Sequence, residues 1–207
     1  FDKISEKSAQ VYVNTELQNK NQRSETVTVE TALTDTDGKV IRRASGKLSL
    51  KPGEKKTIRQ QIEIKNPKLW SPDSPYLYRV QSRVKKGNQS IDGGITRIGI
   101  RQAEFRGKDG FWLNGKPFGQ LVGANRHQDF AYVGNALPNS QQWRDAKRLR
   151  DAGCTIIRVA HYPQDPSFMD ACDELGMFVI VATPGWQYWN KDVKFGELVH
   201  QNTREMI

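Results

Sequence analysis

Residues able to handle a polar ligand gather in three stretches of the second half of the chain. The first is Asn125-Arg126-His127-Gln128-Asp129, the second Arg158-Val159-Ala160-His161, and the third runs from Thr183 to Trp189 with Trp186, Tyr188 and Trp189. A neutral imidazole both donates to and accepts from a hydroxyl. A guanidinium fixed beside carboxylates favours their ionised form. Asn and Asp side chains reach polar ligands, and an indole face stacks on apolar ring surfaces. Each residue type also has a plainer use: a satisfied structural His, an Arg in an ion pair, Asx residues in caps and turns, a Trp in a packed interior. Residue types alone leave both uses open.

The elements around these stretches narrow the choice. Leu121 to Ala124 reads as a short apolar strand. A helix follows, with Ser140 as N-cap, Trp143, Ala146 and Leu149 on one face, and Gly153 as the residue just past its end. Thr155-Ile156-Ile157-Arg158-Val159-Ala160 is β-branched and nearly continuous, as a buried parallel strand should be. A second helix spans about Ser167 to Leu175 and closes at Gly176, Met177 to Ala182 forms a third strand, and a last helix begins near Glu197 and is still running at Ile207. The order βαβαβα implies a parallel sheet with right-handed crossovers. All three polar stretches then fall at the carboxyl ends of strands, where barrel folds of this type place their sites.

Residues 8–100 carry a different period. Val11, Val13 and Leu17 alternate with polar residues, as do Val27, Val29, Thr31 and Leu33, then Ile58, Ile62 and Ile64, then Tyr76, Tyr78, Val80 and Val84. A half-buried antiparallel strand requires this alternation. Asp37-Gly38, Pro52-Gly53 and Lys86-Gly87-Asn88 supply turns. About seven strands in this length point to an immunoglobulin-like sandwich. Phe111 to Phe118 adds a hairpin, with Asn114-Gly115 suited to a type I′ turn.

Composition excludes several classes. The chain of 207 residues is 36% hydrophobic and 27% charged, ordinary for a globular protein. No apolar run nears the roughly 18 residues of a membrane span, and Phe1-Asp2-Lys3 does not open a signal peptide. With no initiating Met either, the chain reads as an excerpt or a processed product. The net charge of +9 lies wholly in the first half: residues 1–110 hold 22 Lys and Arg against 13 Asp and Glu, and residues 111–207 hold ten of each. Arg42, Arg43, Lys47, Lys55, Lys56, Lys85 and Lys86 occupy polar strand positions and turns, the pattern of a solvated sheet face. No aromatic-basic motif accompanies them, so nucleic acid is not expected as a partner. Cys154 and Cys172, the only cysteines, lack CxxC spacing and read as two buried thiols. Nothing calls for a metal or another cofactor. The compartment is left open, with periplasmic or secreted placed ahead of cytoplasmic.

In order and spacing, three stretches resemble glycoside hydrolase family 2, the group of β-galactosidases, β-glucuronidases and β-mannosidases. They are Asn66-Pro67-Lys68-Leu69-Trp70-Ser71-Pro72 through Tyr78, with Gly99-Ile100-Arg101 and Phe111 to Lys116; Gly123-Ala124-Asn125-Arg126-His127-Gln128-Asp129; and Ile157-Arg158-Val159-Ala160-His161-Tyr162-Pro163 with Cys172 to Gly176. The resemblance implies an immunoglobulin-like β-sandwich over residues 1–103. It implies an incomplete (β/α)8 TIM barrel of about three β/α units over residues 104–207. It further implies that His127 and His161 bind sugar hydroxyls, that Arg158 lies beside the catalytic carboxylates, that Asn125 and Asp129 can contact sugar, and that Trp186 stacks on a pyranose. Val181-Ala182-Thr183-Pro184 departs from the family, where an acidic residue often follows the strand, and this puts the sugar preference in doubt.

Retaining glycosidases use two carboxylic residues about 5–5.5 Å apart. The resemblance puts the acid/base in an Asn-Glu pair after the fourth strand and the nucleophile near the seventh, and this sequence contains no Asn-Glu pair. Both catalytic residues are therefore expected beyond Ile207, and none of the 207 residues present is expected to be catalytic. Asp145, Asp151, Asp170, Asp173, Glu174, Glu197 and Glu205 fall on expected helices, away from the mouth. The expectation is a fragment of a retaining β-glycosidase, inactive alone, with β-galactosidase ahead of β-glucuronidase and β-mannosidase. Its partner is carbohydrate, with no membrane. Two rivals stand: a non-catalytic sugar-binding module, and a structural or interaction role for the immunoglobulin-like half, such as interdomain spacing or oligomer contact. Three unclosed barrel units are also expected to expose a strand edge that invites self-association into a homo-oligomer.

Overall fold

The computed structural model describes residues 1–185, 187–188 and 190–206; Trp186, Trp189 and Ile207 lie outside the described residues. The chain forms two compact units, Phe1–Ser71 with Tyr76–Phe118, and Pro72–Pro75 with the residues from Gly119 onward.

The first unit holds six long strands: β1 (Ser8–Gln18), β2 (Glu25–Thr34), β3 (Val40–Leu50), β4 (Lys55–Lys65), β5 (Tyr78–Lys86) and β6 (Gln89–Ile98). All pair antiparallel, in a two-stranded sheet β1–β4 and a four-stranded sheet β3–β2–β5–β6. The expected count of about seven comes down to six among the described residues. Next to β1 the chain adds only a bridge between Asp2 and Gln10, because Ser5 and Ser8 turn it back at once. Tyr76 stays outside β5, just after Pro75, a ring that cannot donate to a ladder.

Ala9, Val11, Leu33, Ile62, Ile64, Tyr78, Val80 and Ile100 form one buried cluster. A buried polar contact between Thr31 and Gln60 joins the two sheets. Thr31 Oγ1 donates to Gln60 Oε1 at 2.6 Å, and Gln60 Nε2 donates to the Val29 carbonyl at 3.1 Å. Burial is tolerated there because the hydroxyl and both amide groups are bonded. Three short strands follow, β7 (Ala103–Phe105), β8 (Phe111–Leu113) and β9 (Lys116–Pro117). The β8–β9 hairpin turns at Asn114 and Gly115 with φ of 53° and 78°, the two positive values a type I′ turn demands.

The second unit runs β10 (Gly123–Arg126), α1 (Asn139–Asp151), β11 (Ile156–Val159), α2 (Pro166–Leu175), β12 (Phe178–Val181) and α3 (Val193–Met206). The strands are parallel in the order β10–β11–β12. Three local expectations are corrected. Strand β10 starts two residues late and includes Asn125 and Arg126, because their pairing with Arg158 and Val159 outweighs their polarity. Ser140 does not cap α1: extended Pro138 stands at the cap, and its carbonyl accepts from Gln141 and Gln142. Helix α3 begins four residues early, where Asp192 Oδ1 accepts from the Lys194 amide at 2.9 Å, and its described part closes at Met206, so the expectation that it continues through Ile207 falls outside the described residues. The other ends follow their residues. Gly153, at φ 90°, closes α1 with its amide on the Arg150 carbonyl while Cys154 reaches Leu149, a Schellman arrangement. Asp165 caps α2 through the Ser167 amide, with Pro166 as its first residue. Ala146, Ile157, Val159, Phe168, Ala171, Cys172 and Met177 make the core.

Candidate functional site

Alternation along three short strands decides which side chains reach the site. Ile157 and Val159 of β11 are fully buried among the residues of α1 and α2. The intervening Ile156 and Arg158 line a cleft of about 400 Å³ with Gly123, Ala124, Asn125 and Ile180. Asn125 and Arg158 are register partners across the β10–β11 ladder, so they sit side by side in the cleft wall. Gly123 is required beneath them, since a Cβ there would stand 1.7 Å from the Ile156 carbonyl oxygen.

The chain leaves β10 at His127, while β11 is followed by Ala160 and His161, joined by a cis peptide. The two imidazole centroids are 5.1 Å apart and their planes meet at 86°. Arg158 Nη1 lies 2.9 Å from His161 Nδ1. A guanidinium only donates, so Nδ1 accepts and the proton of the neutral ring resides on Nε2. The pKa of His161 lies below the ordinary histidine value; burial is the largest cause, followed by the Arg158 charge and then His127. Burial first, and the Arg158 charge second, favour the neutral form of this ring.

His127, His161, Arg158 and Asn125 are therefore brought together at the carboxyl ends of neighbouring parallel strands. No ion pair engages Arg158 among the described residues. Asp129 lies two residues past His127, exposed and in no ion pair among those residues. The stacking role expected of Trp186 falls outside the described residues, as does Trp189; Tyr188 between them is exposed. Among the described residues, those lining this cleft include no carboxylate. Cys172 is not a nucleophile: burial, then Asp173, push its thiol up to about 12 against an opposing pull from Arg126.

Sequence reading passed over Arg126. It precedes His127, so alternation sends its side chain the other way, toward the helices, where it is 6% exposed. Its Nη1 donates to Gln164 Oε1 at 2.6 Å, and its Nη2 to Gln142 Oε1 at 2.8 Å and Asp145 Oδ2 at 3.0 Å. The guanidinium carbon stands 4.0 Å from the centre of the Phe168 ring. Gln164 Nε2 returns to the Arg126 carbonyl, which also accepts from the Ala160 amide. Gln128 Oε1 accepts from the Asp165 amide. One buried cation thus ties the segment bearing His127 to the segment bearing His161. Asp145, on α1 as expected, serves this tie. The sequence offered no clear signal for it, since the expected strand stopped at Ala124, two residues short of Arg126.

A β-sandwich in one chain with parallel β/α units, whose polar residues meet at the strands' carboxyl ends, defines the broad class: a sandwich-bearing protein with a barrel-type site. Likeness to known proteins narrows it. Residues 2–101 match the family model described as glycosyl hydrolases family 2, and residues 105–204 its TIM barrel domain. The chain belongs to glycosyl hydrolases family 2. A β-galactosidase of Thermoanaerobacter pseudethanolicus is 43% identical over 153 residues, covering 73% of this chain and 20% of that protein. A β-galactosidase of Thermoanaerobacterium thermosulfurigenes is 38% identical over 98% of this chain and 28% of that one. Among solved structures, a Bacteroides uniformis β-glucuronidase 2 bound covalently to cyclophellitol-6-carboxylate aziridine superposes with a TM-score of 0.92. It is 31% identical, over 100% of this chain and 25% of its own. The chain spans less than a third of the length of these relatives.

Proposed function

We propose that this chain is the sandwich and first barrel units of a retaining β-glycosidase that releases a terminal sugar. A β-galactoside is the first choice of substrate and a β-glucuronide the second. The two relatives named β-galactosidase support that order, and the structural neighbour named β-glucuronidase supports the alternative. The single observation carrying the reading is the His127–His161 pair, 5.1 Å apart and held neutral at His161 beside Arg158. Two imidazoles at right angles suit adjacent hydroxyls of one ring, and the Arg158 charge suits a neighbouring carboxylate that must stay ionised. Asn125, Asp129 and Trp186 complete the sugar contacts in this reading.

The acid/base and nucleophile are supplied by further barrel units beyond Ile207, and the 207 residues alone are inactive. The test is nitrophenol release from aryl β-galactoside and β-glucuronide. The chain extended with its downstream residues turns over, and the chain alone does not. Turnover by the chain alone would overturn the division of labour. An inert extended chain would overturn the hydrolase reading.

A further inference from the structure

The charged residues on the outer face of the four-stranded sheet are almost all cations. Val27, Val29, Thr31 and Leu33 of β2 point inward and are buried. The alternate positions, and the residues paired with them, form the outer face. Lys47 and Lys85 flank Thr28, Arg83 pairs with Glu30, Arg43 with Ala32, and Arg79 with both Thr34 and Arg97. Five of these six cations are exposed, and Lys85 is half-buried. Glu30 is the one carboxylate in these rows, and Lys85 takes it at 3.1 Å. Four successive rows, two residues apart, carry the charge over about 20 Å of sheet.

The opposite sheet is different. Its outer positions mix Lys55, Arg59 and Lys65 with Glu16 and Glu63, Lys55 is paired with Glu16 at 3.0 Å, and Arg59 lies over Tyr12. The rows of this face net +5 of the chain's +9 (six cations, one carboxylate), against +1 for the charges named on the opposite sheet (three cations, two carboxylates).

We propose that this face binds a polyanionic glycan, a linear polymer with carboxylates or sulfates on successive sugars. A flat row of cations matches anions repeated along an extended chain. Guanidinium forks, contributed here by Arg43, Arg79, Arg83 and Arg97, bind carboxylate or sulfate bidentately. Single-stranded nucleic acid is disfavoured because the outer rows hold charged, small polar and aliphatic residues with no aromatic on which a base could stack. The choice of glycan among polyanions rests on the glycosidase reading; the binding face itself does not.

The experiment titrates the 207-residue chain with polygalacturonate, chondroitin sulfate, neutral dextran and oligothymidylate at several salt concentrations. Expected are binding of both acidic glycans, none of dextran, and an affinity falling linearly in log–log against salt. The combined variant Arg43→Thr, Lys47→Thr, Arg79→Thr and Arg83→Thr weakens glycan binding about tenfold or more. The control variant Lys55→Thr, Arg59→Thr and Lys65→Thr changes it less than about twofold. Equal losses in the two variants, salt-independent binding, or no glycan binding overturn the proposal. Tighter binding of oligothymidylate than of either glycan overturns it in favour of nucleic acid. The salt dependence is read on the unaltered chain, so a variant that fails to fold does not protect the idea. Aryl-glycoside turnover reports separately on the hydrolase reading.

Discussion

The two units obey the same strand alternation and put their charges in opposite places. In the sandwich, strands of 9–11 residues keep ionic groups on outer faces, and the buried polar contacts, Thr31 with Gln60 and Asn19 with the Leu50 carbonyl, are neutral. In the second unit, strands of four residues lie beside helices, so alternate positions face either a cleft or the helices. Arg158 faces the cleft and Arg126 the helical layer. A cation on an open sheet face can be lost cheaply. A cation inside a packed layer has displaced water from itself and from each of its partners, so the layer depends on it.

Replacing Arg126 with Ala breaks this comparison most severely. It strands Gln142, Gln164 and Asp145 and leaves a hollow against Phe168. Removing one partner of a buried ion pair costs about 3–5 kcal/mol. Arg79→Ala, on the open face, should stay within about 0.5 kcal/mol. Urea denaturation of both variants reads the contrast, and comparable losses would erase it. Arg126→Lys keeps the charge without the fork and should fall between them.

That contrast also explains what the sequence disclosed. Long runs such as Val27-Thr28-Val29-Glu30-Thr31 announce both their element and their face, since period two is repeated enough to be unambiguous. The turns at Asp37-Gly38 and Asn114-Gly115 were legible because few residues accept positive φ. The meeting of His127 with His161 was legible from strand order alone, given parallel pairing. Asn125 and Arg126 were not read as part of the strand, which was placed at Leu121 to Ala124: so short a run carries too little alternation, and the forces holding it, the β11 ladder and the Arg126 partners on α1 and in the loop before α2, are remote in sequence. The cap at Pro138 was missed for the opposite reason, a Ser two residues further on that looked too plausible. The cationic face was visible as composition, but its one-sidedness emerged only from register.

A smaller effect sharpens the sandwich side. Thr31→Val preserves shape and β-branching while removing the hydroxyl that Gln60 Oε1 accepts from. The orphaned buried carbonyl costs about 1–3 kcal/mol. Pairing the change with Gln60→Leu, so that both polar partners are gone, should recover much of that loss. A double variant as unstable as the single one would show that the contact does more than satisfy itself.

The subtlest difference lies in how the cleft treats a charge it does not want. His161 has its folded pKa depressed, so the folded state binds fewer protons than the unfolded chain just below the ordinary histidine value of about 6.5. The sign follows: stability from this group is fully present above that value and is lost as pH falls toward and through the folded one. Histidine ring resonances followed by NMR should place the His161 midpoint below the ordinary value. Burial outranks Arg158 among the causes, so Arg158→Ala should raise the midpoint only part of the way, and His127→Ala less again. Full recovery in Arg158→Ala would instead make the guanidinium the sole cause, and the cleft wall would then be an electrostatic device rather than a dry one. A midpoint above the ordinary value would place a carboxylate, rather than Arg158, as the dominant neighbour of that ring.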